Sequence, residues 1–165
     1  MTSRYYAGIG ARGTPQHIQY RMTRFAERAS GLVLRSGAAA GADTAFELGA
    51  GGREIWLPWL RFNGHSSPLI VTDGAIEIAE KFHPAWNRLA NGVKKLHGRN
   101  VNILLGADLE TPVEFVVCWT DGGAAIGGTG MGIRCANYYG IPVYNLANSD
   151  GYSLAVTHLQ EIEDE

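Results

Sequence analysis

Three glycine-rich segments carry the clearest chemical signal in this sequence. They are residues 8–13 (GIGARG), 36–43 (SGAAAGAD) and 127–130 (GGTG), and each follows a run of apolar residues. Glycine lets the backbone turn sharply and approach a ligand closely. Where a helix begins directly after such a turn, its free N–H groups and the positive end of its dipole suit a phosphate group. The three segments therefore predict a site for a nucleotide or another phosphate-bearing ligand.

Predicted strands and helices alternate around these turns. Strands are expected at residues 5–9, 32–34, 54–58, 113–119 and 141–146, and helices at residues 17–30, 43–49, 73–82, 85–96 and 131–139. The first helix is expected to have Thr14 as its N-cap and Pro15 as its first residue. Residues 59–72 have the composition of a long loop, and residues 100–105 form an apolar segment that is either helix or strand. The acidic tail, residues 160–165, is expected to fray.

The predicted strands are continuous apolar runs rather than alternating patterns. Such runs are typical of a parallel sheet that is covered by helices on both faces. We therefore expect one α/β domain over residues 1–165, built on a doubly wound, Rossmann-like parallel sheet. In this architecture the turns that follow the strands share one edge of the sheet, where ligands bind. Three glycine-rich turns at one edge are harder to explain by turn formation alone than a single turn would be.

The composition argues against several other classes of protein. Hydrophobic residues make up 45% of the chain and charged residues 18%, as expected of a globular interior rather than a disordered chain. The two cysteines, Cys118 and Cys135, are too far apart for a CxxC motif, and the five histidines form no metal-binding pair. We therefore expect no metal and no cofactor. Because the sequence has neither an apolar signal core nor a run of about 20 apolar residues, we expect a cytoplasmic protein.

The three turns together resemble the pattern of the SMF/LOG (SLOG) superfamily, and in particular its small phage and bacterial DprA-like proteins. Beside the turns themselves, the likeness includes CWT at residues 118–120, GIPVYNL at 140–146, HPAW at 83–86 and KLHGRN at 95–100. It extends from about residue 7 to residue 146. The resemblance implies a Rossmann-type fold that binds a nucleotide or a nucleotide-derived small molecule, as a sensor, a scavenger or a processing enzyme.

The resemblance also implies roles for residues of the first two turns. Gly10 and Arg12 belong to the first turn, where the Arg12 guanidinium would pair with a phosphate through two hydrogen bonds. An ion pair with a neighbouring surface carboxylate is the alternative for Arg12, and we favour the ligand. The second turn contains Ser36, Gly37 and Gly41. Asp43 would either accept a hydrogen bond from a ribose hydroxyl or cap the following helix, which is the commoner use of aspartate there.

The third turn is the strongest of the three candidates for binding phosphate. Its members are expected to hold the phosphate through backbone N–H groups, with a hydroxyl added by the threonine; they are Gly127, Gly128, Thr129 and Gly130. Trp119 and Thr120 come at the end of the preceding strand. We expect Trp119 to line the ligand cleft and to stack on a base.

One departure from the family pattern concerns catalysis. The lonely-guy phosphoribohydrolases of this superfamily carry a proline before the paired glycines and two glutamates shortly after the threonine. Here Ile126 replaces the proline, and residues 131–134 (MGIR) stand where the glutamates would be. Cleavage of a nucleotide N-glycosidic bond is therefore an alternative that the sequence weakens, and no catalytic residue is assigned.

Two further expectations concern partners. Binding of single-stranded DNA, as in DprA-like recombination mediators, is a second alternative, but the net charge of −2 lacks the basic excess that phosphate neutralisation requires. We also expect a homo-oligomer, most simply a dimer. The predicted helices at residues 17–30 and 85–96 each carry apolar residues on more than one face, and an exposed apolar patch favours a symmetric partner.

Overall fold

The computed structural model describes residues 2–165 and contains six strands and six α-helices within that range. The strands are β1 (Tyr5–Gly8), β2 (Val33–Ser36), β3 (Arg53–Leu57), β4 (Leu69–Ile70), β5 (Val116–Cys118) and β6 (Val143–Asn145). The helices are α1 (Gln16–Arg28), α2 (Ala42–Gly49), α3 (Asp73–Glu80), α4 (Asn91–Leu105), α5 (Gly127–Tyr138) and α6 (Gly151–Glu163). Within residues 2–165, no helix is both long enough and apolar enough to cross a membrane.

The six strands form one sheet in which every pairing is parallel. Their order is β4-β3-β2-β1-β5-β6. The chain therefore adds strands outward from β1 on one side and then returns to build β5 and β6 on the other. This arrangement confirms the predicted α/β class with a doubly wound, Rossmann-like sheet. The strand order reverses between β1 and β5, and in open α/β sheets ligands bind outside the carboxyl ends of the strands at this switch point.

Each face of the sheet carries its own hydrophobic core. Tyr6, Phe115 and Val117 belong to the core under α1, α2 and α6. The intervening residues of the same strands, such as Ala7 and Val116, belong to the opposite core under α3, α4 and α5. Because successive side chains of a strand point to opposite faces, strands buried on both faces are apolar throughout. The continuous apolar runs of the sequence follow from this burial.

The start of α1 differs from the prediction. Pro15 is the N-cap and the helix begins at Gln16. The Thr14 hydroxyl donates to the carbonyl oxygen of Ala11 at 2.6 Å, so it closes the first glycine turn instead of capping the helix. The apolar face of α1 was predicted correctly, since Ile18, Met22, Phe25 and Ala26 are buried.

The middle of the chain contains two further corrections. The helix predicted at residues 85–96 is a short 3₁₀ turn, Trp86–Arg88, followed by the start of α4, which continues through the ambiguous segment 100–105. Leu89 and Ala90 have extended backbone angles, and this break separates the turn from the helix. The predicted loop 59–72 contains β4, which pairs with β3 at the edge of the sheet. Since Trp86 is buried, it offers no surface to a second copy, and the homo-oligomer stays a prediction.

The acidic tail is helical rather than frayed, which corrects the prediction for residues 160–165. Residues up to Glu163 belong to α6, a helix that we did not predict. Ile162 is buried in the core beneath α1 and α2, and Arg4 forms an ion pair with Glu165. Apolar burial at helical spacing fixes the tail in spite of its charge.

Substitution of Ile162 by alanine tests this packing. We expect Ile162→Ala to lower the free energy of unfolding by about 2 kcal/mol, because it removes buried methyl groups and leaves a cavity. Urea denaturation monitored by circular dichroism measures the change. The exposed neighbour Glu163 provides the control, since Glu163→Ala should change the free energy of unfolding by less than about 0.5 kcal/mol. Equal effects of the two substitutions would show that the tail does not pack.

Candidate functional site

A cleft of about 270 Å³ lies at the switch point of the sheet. Its walls come from the turns after β1 and β2, from the beginning of α5 and from one side of α4. Five of the predicted site residues line this cleft, and they come from all three turns: Gly10, Arg12, Asp43, Gly128 and Thr129. Residues far apart in the sequence thus meet at one edge of the sheet, as the parallel topology requires.

Gly10 allows the turns after β1 and β5 to approach each other. A Cβ atom at this position would lie 2.6 Å from the Cβ of Ala42 and 3.2 Å from the carbonyl oxygen of Trp119. The following amide, Ala11 N–H, donates to that same carbonyl oxygen at 3.3 Å. Any larger residue at position 10 would therefore separate the strand ends that form the floor of the cleft.

Arg12 projects from the first turn with an exposed side chain. Within residues 2–165 it forms no ion pair and donates no side-chain hydrogen bond. The ion pair with a neighbouring surface carboxylate, which was the alternative for Arg12, does not form among the described residues. Its guanidinium group keeps its five donors available at the cleft.

Three predicted residues of the second turn shape the turn and do not line the cleft. The Ser36 side chain is fully buried, and its hydroxyl donates to the carbonyl oxygen of Gly8 at 2.6 Å. The carbonyl oxygen of Gly37 accepts a hydrogen bond from Arg99. Gly41 is the N-cap of α2 and has a φ of 83°, a left-handed conformation in which a side chain is strained. These contacts hold the turn in position beside the first turn.

Asp43 lies in the first turn of α2 and is only 5% exposed. Its Oδ2 accepts a hydrogen bond from Ala39 N–H at 3.1 Å, so the carboxylate ties back to the preceding turn and does not cap the helix. Burial raises the pKa of Asp43 to about 6, against the opposing influence of the Arg99 charge and the Ala39 N–H group. The cleft therefore contains a carboxyl group that gains and loses its proton near neutral pH.

The third turn presents the N-terminus of α5 to the cleft. Ile126 is the N-cap, and no side chain caps the helix. The first helical amide that bonds within this segment is Gly130 N–H, which donates to the carbonyl oxygen of Ile126 at 2.8 Å. Within the described residues the N–H groups of Gly127, Gly128 and Thr129 have no acceptor. Gly130 does not line the cleft, and a Cβ atom at this position would collide with the backbone of Ala125.

The residues at the end of β5 have different surroundings from those predicted. Trp119 packs against the core under α1, α2 and α6, and its side chain does not line the cleft. Thr120 is buried, and its hydroxyl accepts a hydrogen bond from the Asn145 amide at 2.7 Å. Thr120 and Gly127 line a separate, smaller cavity of about 220 Å³, which Gly128 and Thr129 line as well.

The side of α4 contributes functional candidates that were not predicted. Val93, Leu96, His97 and Asn100 recur at helical spacing on one face of α4, and all of them line the cleft together with Arg99. Asn100 spans to the third turn, since its side-chain amide donates to the carbonyl oxygen of Gly128 at 3.3 Å. The spacing is present in the sequence, but the helix predicted at residues 85–96 ends before His97 and Asn100, so the prediction does not place these two residues on one face with Val93 and Leu96.

Arg99 is a buried cation at the back of the cleft, with 6% of its surface exposed. Its guanidinium donates to the carbonyl oxygens of Gly37 and, at 3.5 Å, Trp56. In the described part of the chain it forms no ion pair with a carboxylate. Burial lowers the pKa of Arg99, which the nearby charge of Asp43 opposes. Two arginines thus face one carboxyl group of raised pKa, and the charge balance of the cleft favours an anion.

Comparison with protein-family models, with curated proteins and with solved structures finds no match to this chain. The case for its function therefore rests on the geometry of the cleft.

The raised pKa of Asp43 predicts a pH-dependent cost to stability. Because the folded protein holds this proton more tightly than the unfolded chain, the ionised carboxylate destabilises the fold above about pH 6. We expect Asp43→Asn to raise the free energy of unfolding at about pH 7.5, on the order of 1–3 kcal/mol. The gain should shrink as the pH falls from about 6 towards 4, where the wild-type carboxyl is protonated as well.

Urea denaturation over this pH range measures the effect. Asp73, which is exposed in the first turn of α3, provides the matched control, and Asp73→Asn should change stability by less than about 0.5 kcal/mol above pH 6. A lower stability of Asp43→Asn at about pH 7.5 would mean that attraction to Arg99 outweighs the cost of burial, contrary to this prediction.

Proposed function

We propose that this protein binds a nucleotide or a nucleotide-derived ligand in the switch-point cleft, with a phosphate group against the first turn of α5. The observation that carries the proposal is the meeting of free N–H groups and free guanidinium donors in one cleft. Gly128 and Thr129 supply the amides, and Arg12 supplies the exposed guanidinium. A helix N-terminus and an arginine are the two commonest ways to bind phosphate in proteins.

The remaining walls suit the uncharged part of such a ligand. Ile9, Val93 and Leu96 give the cleft an apolar side that can pack against a sugar or a base. The volume of about 270 Å³ lies at the small end of ligand pockets. This size supports a compact ligand, in which one phosphate-bearing unit is enclosed, in preference to a long strand of nucleic acid.

A second candidate function, hydrolytic processing of the bound nucleotide, is supported by Asp43. A carboxyl group with a pKa of about 6 inside a cleft is suited to general acid–base catalysis near neutral pH. Chromatographic detection of free base from AMP, ADP or NAD tests this function. If Asp43 is the acid, wild-type turnover should fall above about pH 6, and Asp43→Asn should have none. Turnover that survives in Asp43→Asn would exclude this role, and intact nucleotides in the wild type would leave binding alone as the function.

Gly128→Val tests the proposed phosphate position. The nearest atom to a Cβ at Gly128 is the side-chain nitrogen of Asn100 at 3.9 Å, so the variant has room to fold. The added methyl groups would cover the amides at the start of α5 and block the approach of a phosphate. We expect nucleotide binding to be lost, as measured by isothermal titration calorimetry with AMP, ADP, ATP and NAD as probes.

The control is Gly31→Val, which lies between α1 and β2, away from the cleft, where a Cβ meets no atom within 4 Å. It should bind with wild-type affinity. A folded Gly128→Val protein of unchanged affinity would remove this turn from the site, and a wild-type protein that binds none of the four probes would contradict the proposed function.

A further inference from the structure

His97 is a buried histidine on the wall of the cleft, with 8% of its surface exposed. Its ring packs against His83, at 5.2 Å between ring centroids, and against Trp86, at 6.3 Å. The Nδ1 atom is enclosed and has no hydrogen-bond partner within the described residues. An enclosed ring nitrogen without a partner is unusual, because buried polar atoms are nearly always satisfied.

The enclosure of Nδ1 indicates which nitrogen serves the cleft. Since His97 lines the cleft while Nδ1 is shut off, Nε2 is the nitrogen that can reach a ligand. A buried N–H group without an acceptor is rarer in proteins than an acceptor without a donor. The enclosed Nδ1 therefore carries the lone pair and Nε2 carries the proton.

The surroundings of His97 favour the neutral ring. Burial lowers the pKa of His97, and so do the charges that face it from three directions: His83 in the turn before α4, Arg134 on α5 and Arg99 on α4 itself. At neutral pH the uncharged ring thus presents one N–H donor to the cleft.

We infer that His97 determines ligand specificity in this cleft by donating a hydrogen bond from Nε2–H to a ring nitrogen or carbonyl oxygen of the ligand. The inference rests on the proposed function, because it assumes that a phosphate-bearing ligand occupies the cleft. It deepens the proposed function by assigning the residue that recognises the base, so that a ligand with a heterocyclic base binds in preference to a sugar phosphate alone.

The spacing along α4 supports this choice of class. Asn100 touches the third turn through Gly128, so it marks the phosphate end of the cleft. His97 lies three residues earlier, about 4.5 Å along the helix axis, and Val93 lies about 6 Å beyond His97. A ligand that extends along α4 therefore meets anion donors first, then one neutral donor, and then an apolar surface. A base with ring acceptors and a flat apolar face matches this order.

Two variants and two probes test the inference by calorimetry. His97→Leu removes the donor with little change in volume, and His97→Gln keeps an N–H donor near the position of Nε2. The probes are AMP and ribose 5-phosphate, which share the phosphate and sugar but differ in the base. We expect His97→Leu to lower the affinity for AMP at least about tenfold and the affinity for ribose 5-phosphate less than about twofold. His97→Gln should bind AMP within about threefold of the wild type.

His83 provides the matched control, because it contacts the His97 ring but does not line the cleft. His83→Leu should bind both probes as the wild type does. Long-range ¹H–¹⁵N spectra of the free protein near pH 7 should place the His97 proton on Nε2, as a donor to the cleft requires.

Three results would overturn the inference: unchanged AMP affinity in His97→Leu, equal loss of both probes, or a His97 proton on Nδ1. If the wild type binds the probes and any one of these three results is obtained, the inference fails and the proposed function stands. If the wild type binds none of AMP, ADP, ATP and NAD, the proposed function fails and the inference falls with it.

Discussion

The cleft depends on one buried guanidinium group. Arg99 extends from α4 to the ends of two neighbouring strands, where it donates to the carbonyl oxygens of Gly37 after β2 and Trp56 in β3. Together with the buried apolar residues of α4, this contact holds the helix and its cleft residues against the sheet. The charge of Arg99 also meets Asp43 across the second turn. Burial of two ionisable groups is costly, and attraction between them offsets only part of the cost. This free-energy cost of burial falls at the edge of the sheet where the parallel topology creates a crevice.

The three turns contribute to the site in different ways. The first and third turns present their backbone and Arg12 to the cleft. The second turn presents Asp43 to it, while Ser36 and Gly37 hold that turn in position. Gly10 lies where the ends of β1 and β5 meet, and only a residue without a side chain lets these strand ends lie so close. The raised pKa of Asp43 and the lowered pKa of His97 share their largest cause, which is burial, because burial disfavours the charged form of each group. Perturbed groups of this kind concentrate at functional sites.

The sequence predicted the sheet well and the site only in part, for reasons that particular residues make clear. Continuous apolar strands report burial on both faces, so the parallel sheet could be predicted. Glycine marks turns regardless of their purpose, so Gly37 could not be told apart from Gly128. Trp119 shares its face of β5 with Val117, and the alternation of side chains along a strand already directs it towards the core rather than the cleft. The cleft-lining face of α4 could not be predicted, because the break at Ala90 depends on packing. The order of the acidic tail could not be predicted either, because the burial of Ile162 also depends on packing.

Two buried arginines of this chain differ in how their charge is neutralised, and the difference favours an anion in the cleft. Arg35 on β2 is 2% exposed and is fully paired: it contacts Glu54 at 3.0 Å and the carbonyl oxygen of Thr111 at 2.6 Å, and its guanidinium lies 3.8 Å from the centre of the Tyr5 ring. Arg99 is almost as deeply buried, yet within the described residues only carbonyl oxygens accept from it. The same chain thus neutralises a buried guanidinium with a carboxylate where the role is structural. Beside Arg99 it has only the carboxyl group of Asp43, which forms no ion pair with Arg99 within the described residues and whose pKa of about 6 leaves it partly protonated near pH 6. Such a cation, set behind the amides of α5, retains the positive potential that a phosphate requires.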